Sequence, residues 1–257
     1  MLNYDFIEQK AIKERIDKIT IEREYYQLLF LQRLYLEKES ENFYFKGGTA
    51  IRFLLQSFRF SEDLDFTSVV SREKTRKLLN NVFAFFIKNS TSSIEIKEEK
   101  IWEKFADVSV KYRFLFLPKY SSQKISIRID VSLREKPQTK EQSVVTPFDY
   151  PISPYPLVVH LSSEELLAEK IRALFIRGKP RDVFDLWFLL TKKIPINEKL
   201  INNKFSLYKD LKFSRAKLKG LIENYDEKEL KKDLNQFLPE NYRNFYRQLK
   251  EETLKFM

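Results

Sequence analysis

At 257 residues and 43% hydrophobic content, the chain is long enough to bury a core, in one large domain or in two smaller ones. It has no Cys and a single His, His160, which excludes disulfides, thiolate metal sites, a His-based zinc site and a Ser–His triad. A formal charge of +10 favours an anionic partner, either a nucleoside polyphosphate or a nucleic-acid backbone. No apolar run is long enough to cross a bilayer. The N-terminal stretch "MLNYDFIEQKAIKERIDK" is charged where a signal peptide would be apolar, so a cytoplasmic protein is expected.

Residues 6–40 read as helical, with Ile21, Tyr25, Leu28, Leu29 and Leu36 near helical spacing among charges. "NFYFK" then reads as a short strand running into Gly47 and Gly48, followed by a helix over "TAIRFLLQSF" and an alternating strand over "DLDFTSV". A charged helix is expected over about residues 72–88, and three strands over "SIEIKEE", "DVSVKYRFLFL" and "KISIRIDVSL". Five of the nine prolines fall between Pro137 and Pro156, which predicts an irregular connector. Beyond it "SSEELLAEKIRALFIR" opens on a capping-box pattern, Ser162-x-x-Glu165, and stops at Gly178 and Pro180. A second helix, "RDVFDLWFLL", and several amphipathic helices complete the chain. The division expected is a helix plus α+β core over 1–136, a connector over 137–157 and a helical part over 158–257.

The stretch "FKGGTAIRFLLQSFRFSEDLDF" carries the chemistry. Side chains alternate along a strand, so Asp63 and Asp65 converge on one face. Paired carboxylates repel one another unless a cation or a shared proton relieves them, and Mg²⁺ is a hard ion suited to oxygen ligands. Asp130 lies on the polar face of "KISIRIDVSL", opposite its isoleucines, where a neighbouring strand can set it beside the pair. Three acids could hold two metals. Glycine lets backbone approach a phosphate, and the amides opening a helix offer donors to an anion, so Gly47, Gly48 and the Thr49 hydroxyl are candidates for nucleotide binding. Together these describe a site for in-line attack on the α-phosphate of a nucleoside triphosphate.

These residues resemble the first motif of the AbiEii/AbiGii-type nucleotidyltransferase toxins, a branch of the polymerase-β-like superfamily. "RIDVSLRE" is similar to that family's third-acid strand, and "EELLAEKIRALFIRGKPRDVFDLWFLL" to its helical Lys and Asp motifs. The resemblance spans about residues 43–190. It implies a polymerase-β-like core with a mixed sheet followed by a helical part, the active site lying between them. It also implies a toxin of a toxin–antitoxin or phage-defence pair, an antitoxin partner and a tRNA acceptor. Lys170 would meet the nucleotide phosphates, with Asp182 and Asp185 supporting the same site. Gly48 stands where many members of the superfamily have Ser.

Other readings of the same residues stay open. Lys170 sits on an apolar helix face and needs a negative partner, so with Asp182 or Asp185 it also reads as a buried ion pair pinning two helices. Arg59 also reads as neutralising Asp63 or Glu62, and His160 as a surface or satisfied loop histidine. Six cations from Lys204 to Lys219, among them Lys209, Lys212, Arg215 and Lys217, would track an RNA backbone or form a solvated helix face. Two other functions remain: nucleotidylation of a protein, whether a partner or the chain itself, and a non-catalytic regulator that binds NTP or RNA.

Overall fold

A computed structural model describes residues 2–90, 93–99, 109–118, 120–145, 149–208 and 211–257. The chain divides into two compact units, one formed by residues 1–56 and 60–160, the other by residues 57–59 and 161–257.

The first unit begins with α1 (Tyr4–Glu14) and α2 (Lys18–Leu34), where the sequence suggests one continuous helix. The break falls at Arg15, in the left-handed region at φ 53°, and Asp17 restarts the helix by accepting the Thr20 N–H at 2.8 Å. Then follow β1 (Phe43–Lys46), α3 (Gly47–Leu55), β2 (Leu64–Ser68) and α4 (Arg72–Asn89), the last capped by Ser71. Strands β3 (Ile94–Glu98), β4 (Ser109–Phe116), β5 (Ile125–Ser132), β6 (Glu141–Val144) and β7 (Leu157–His160) complete the unit.

The seven strands form one mixed sheet in the order β3-β4-β5-β2-β1-β7-β6. β2 runs parallel to β5, β1 parallel to β7, and the other neighbours are antiparallel. Buried and half-exposed residues alternate along β4 and β5, which is how a sheet reads when one face packs on a core and the other is polar. Phe114, Phe116, Ile127, Ile129 and Val131 are fully buried on the apolar face. Phe30 of α2 and Phe83 and Phe86 of α4 join that core, with Phe86 5.2 Å from Phe114 between ring centres. Burying a phenylalanine contributes about 1.5–3 kcal/mol, so this aromatic layer fixes which face looks outward.

The segment expected as an irregular connector carries β6, which pairs with β7, and β7 reaches β1 at Phe45↔His160. Pro151, Pro154 and Pro156 lie in the loop between those two strands, while Pro147 is outside the described residues. The stabilising partner, β1, is more than a hundred residues away in sequence, and local composition does not show it. His160 ends a strand rather than sitting in a loop, and its Nε2 is 2.9 Å from Ser143 Oγ.

The second unit is helical: α5 (Ser163–Ile176), α6 (Pro180–Thr191), α7 (Glu198–Phe205), α8 (Arg215–Glu223), α9 (Glu227–Leu234) and α10 (Tyr246–Leu254). Ser162 caps α5 by accepting the Glu165 N–H at 3.2 Å, as its sequence pattern predicts. Phe58, contributed by the short stretch Ser57–Arg59, packs against Phe184 at 5.1 Å and Tyr242 at 4.3 Å. Among the described residues, no helix is long and apolar enough to cross a membrane.

Candidate active site

Strand register places the carboxylates. Lys46 of β1 lies opposite Asp65 of β2, Asp65 opposite Asp130 of β5, and Asp130 opposite Lys111 of β4. In-register neighbours point to the same face of a sheet, with strands about 4.8 Å apart, so four charged side chains stand abreast as Lys46–Asp65–Asp130–Lys111. This is the polar face, opposite the aromatic core. Asp63, Asp65 and Asp130 are each half-buried, within reach of a solute. Lys111 Nζ is 2.5 Å from Asp130 Oδ2.

The glycine beside this row has a specific reason to be there. Gly47 opens α3 at φ +82°, and a Cβ on it would lie 2.9 Å from both Cβ and Cγ of Asp65, and closer still to Oδ2. Any side chain would therefore displace that carboxylate. Gly48 lies buried in the same first helical turn, where backbone N–H groups lack partners within the helix. Thr49, expected to offer its hydroxyl to a phosphate, donates it to the Asp63 carbonyl at 2.5 Å. It is 1% exposed. Its role here is to hold the chain just before β2, so it acts on the position of Asp63.

The three acids expected to hold the metal differ in how closely they are brought together. Among the described residues, no group of three or more His, Cys, Asp or Glu side chains is gathered closely enough to hold a metal. Asp65 is in register with Asp130, while Asp63 lies just before β2 and outside that pairing. Two residues along a strand are about 6.6 Å. Asp65 and Asp130 nevertheless form an adjacent pair of hard oxygen donors, half-buried and on one face, with the half-buried Asp63 two residues before Asp65. That donor set fits a divalent oxygen-seeking ion.

The two lysines that flank the row were missed by sequence reasoning. Lys46 immediately precedes the glycine pair, and Lys111 occupies a polar position of β4. Pairing β4 with β5 in the sequence would have brought Lys111 to Asp130.

In the second unit, Lys170 of α5 lies between two carboxylates of α6, 3.2 Å from Asp182 Oδ1 and 2.6 Å from Asp185 Oδ2. Arg59 donates to both Asp185 oxygens, at 2.8 and 2.9 Å. Its carboxylate partner is thus Asp185, and Glu62 is 3.1 Å from Arg23. Arg177 donates to both oxygens of Asp182 at 2.9 and 3.0 Å. Burial acts to raise the pKa of Asp182, but Lys170 and Arg177 outweigh it and hold the carboxyl at about 2. Asp185 is likewise held down against burial, by Arg59 and Lys170. This is the buried ion-pair arrangement, and contact of Lys170 with a phosphate would require it to exchange a carboxylate.

The basic C-terminal segment does not form one continuous face. Lys204 is 3% exposed and sits 2.7 Å from Glu165 and 3.1 Å from Glu169. Lys212 is exposed ahead of α8, Arg215 is 2.8 Å from Glu198, and Lys217 lies 5.4 Å from the Phe175 ring centre. Lys209 is outside the described residues.

Residues 29–255 match the family described as "Nucleotidyl transferase AbiEii toxin, Type IV TA system". The chain belongs to the AbiEii family. Its fold is similar to that of a Helicobacter pylori protein described provisionally as a nucleotidyltransferase, at 20% identity and a TM-score of 0.62, covering 94% of this chain and 96% of that one. A second similar structure is JHP933 from Helicobacter pylori, at 18% identity and a TM-score of 0.55, covering 94% and 93% of the two chains. No curated protein sequence matches. The AbiEii chain is thus a toxin nucleotidyltransferase with an α+β fold, and the carboxylate row is its candidate centre.

Proposed function

We propose that this AbiEii nucleotidyltransferase moves a nucleotide from an NTP to an RNA acceptor, a tRNA, in a Mg²⁺-dependent reaction. The observation that carries this reading is the in-register row of Asp65 and Asp130 beside Gly47, with the half-buried Asp63 two residues before Asp65. An acceptor hydroxyl would form a bond to the α-phosphorus as the bond to pyrophosphate breaks, the hydroxyl proton passing to solvent. Asp63, Asp65 and Asp130 would hold Mg²⁺, which supplies Lewis-acid polarisation and charge neutralisation at the phosphoryl oxygens. The chain's own part is to present those oxygens at one place. Thr49 fixes the backbone at Asp63, and Gly47 clears the space for Asp65. Lys46 and Lys111 set positive charge at both ends of the row, where triphosphate oxygens would gather.

A net charge of +10 supports a polyanionic acceptor, and a type IV toxin–antitoxin family supports a cognate antitoxin. The cytoplasm is where NTP and tRNA meet such an enzyme. The test is incubation with each labelled NTP, Mg²⁺ and total RNA, followed by separation of RNA from protein. Label on RNA of tRNA size is expected. Label on protein would move the acceptor to a polypeptide. No label, with RNA binding that neither Mg²⁺ nor Asp63→Asn changes, would make the chain a binding regulator.

A further inference from the structure

The polar face of the sheet continues past the acid row onto β3, β4 and β5. One two-residue step from Lys111 and Asp130, the pairs Lys97↔Arg113 and Arg113↔Arg128 set three cations abreast across the three strands. Lys124, just before β5, adds a fourth cation. These side chains are between 39% and 60% exposed.

Two carboxylates serve the four cations. Glu95 is 2.8 Å from Lys97 and 2.7 Å from Lys124. Glu99 is 2.7 Å from Arg113 and 3.4 Å from Arg128. Among the described residues these four cations thus exceed the carboxylates paired with them by two positive charges, on a solvent-exposed surface. Protein interfaces deplete lysine at their cores, and this face is dominated by charged side chains. A phosphate backbone needs only cations at short intervals along an open path.

We propose that this face is the track on which the acceptor RNA strand reaches the acid row, its phosphates lying against Lys97, Arg113, Lys124 and Arg128. The inference rests on the RNA-acceptor reading above, and it moves the RNA contact from the C-terminal helices to the sheet. The lowered pKa of Glu95, at about 2 under the hydrogen bonds of Lys124 and Lys97, accords with the cationic character of the face. An incoming phosphate replaces a shared carboxylate contact instead of an exclusive one, so little is lost on exchange.

The experiment measures binding of total tRNA to the full chain across a salt series. The variant combines Lys97→Gln, Arg113→Gln, Lys124→Gln and Arg128→Gln, with melting temperature as a check on folding. Each phosphate contact contributes a slope of about −0.7 in log K against log[salt] for a single strand. Loss of four contacts should flatten the slope by about 3, so that the fall in affinity between about 50 and about 200 mM salt shrinks by roughly 50-fold. A companion variant, Glu99→Gln, frees Arg113 and Arg128 and should tighten binding at low salt, an effect opposite in sign to any structural damage. Lys212→Ser, Arg215→Ser and Lys217→Ser combined should change the slope less. If the wild type binds RNA and the fourfold variant keeps its slope, the track is overturned while the RNA reading stands. Should the fourfold variant fail to fold, Glu99→Gln decides, and unchanged or weaker binding overturns the track. If the wild type has no RNA affinity at low salt, both readings fall.

Discussion

In the first unit Asp65, Asp130 and Lys111 are half-buried on one face of the sheet, with Lys46 buried at the end of their row, whereas in the second Lys170, Asp182 and Asp185 are 6%, 0% and 1% exposed. The same types of ion pair have different capacities in these two settings. A half-exposed carboxylate can exchange a lysine for another cation, since water screens both states. A buried carboxylate cannot give up its guanidinium without leaving a charge uncompensated in a medium of low dielectric. The acid row is therefore suited to receiving ligands and the Lys170 network to holding α5, α6 and Arg59 in register.

The largest expected effect that bears on this contrast is on stability. Asp185→Ala removes the bidentate partner of buried Arg59 and one partner of Lys170, and breaking a buried pair in this way costs about 3–5 kcal/mol. For a chain of this size, each kcal/mol lowers the melting temperature by about 2–4 °C, so a fall on the order of 10 °C is expected in a thermal melt. Lys170→Met should cost less, because Asp185 keeps Arg59 and Asp182 keeps Arg177. Activity that collapses in Lys170→Met with the melting temperature nearly unchanged would return that lysine to the nucleotide. An unchanged melting temperature in Asp185→Ala would break the contrast between the units.

A smaller effect follows from acid titration. Asp182 is held at about 2 in the folded chain against an ordinary value of 3.8. A depressed carboxylate contributes stability that is fully present above its unfolded pKa and is lost as pH falls through the folded one. Asp182 therefore sharpens acid unfolding between about pH 4 and pH 2, by about 2 kcal/mol. Denaturant midpoints measured over that window should fall less steeply in Asp182→Asn than in the wild type. Equal slopes would contradict the network.

Much of the first unit is legible in sequence because its signals are local. Alternation along "KISIRIDVSL" places Asp130 on the polar face and the glycine pair marks the start of α3, as in the second unit the capping residue Ser162 marks α5. Three things are not legible, each depending on contacts distant in sequence. The β6–β7 pair depends on β1 for its place in the sheet. Arg59 sits within the acid motif, yet its partner is Asp185, and nothing near it in sequence indicates this. That Asp65 is the residue in register with Asp130 is a matter of pairing between β2 and β5, which composition does not encode. The resemblance to a family groups Lys170 with the acids, and the contacts of Lys170 with its buried partners, Asp182 and Asp185, are ones that a motif does not record.

The central claim is that the row centred on Asp65 is where the nucleotide is transferred. The direct measurement is the rate of labelled-nucleotide transfer by Asp65→Asn beside the wild type, with melting temperatures recorded on the same samples. An amide is a poor ligand for a hard divalent ion, and loss of even an outer partner of a metal ligand costs about 10–100-fold. A rate lower by more than about 100-fold is expected at a melting temperature within a few degrees of the wild type, since the side chain is half-exposed. Near wild-type turnover in Asp65→Asn, with the melting temperature retained, would contradict it.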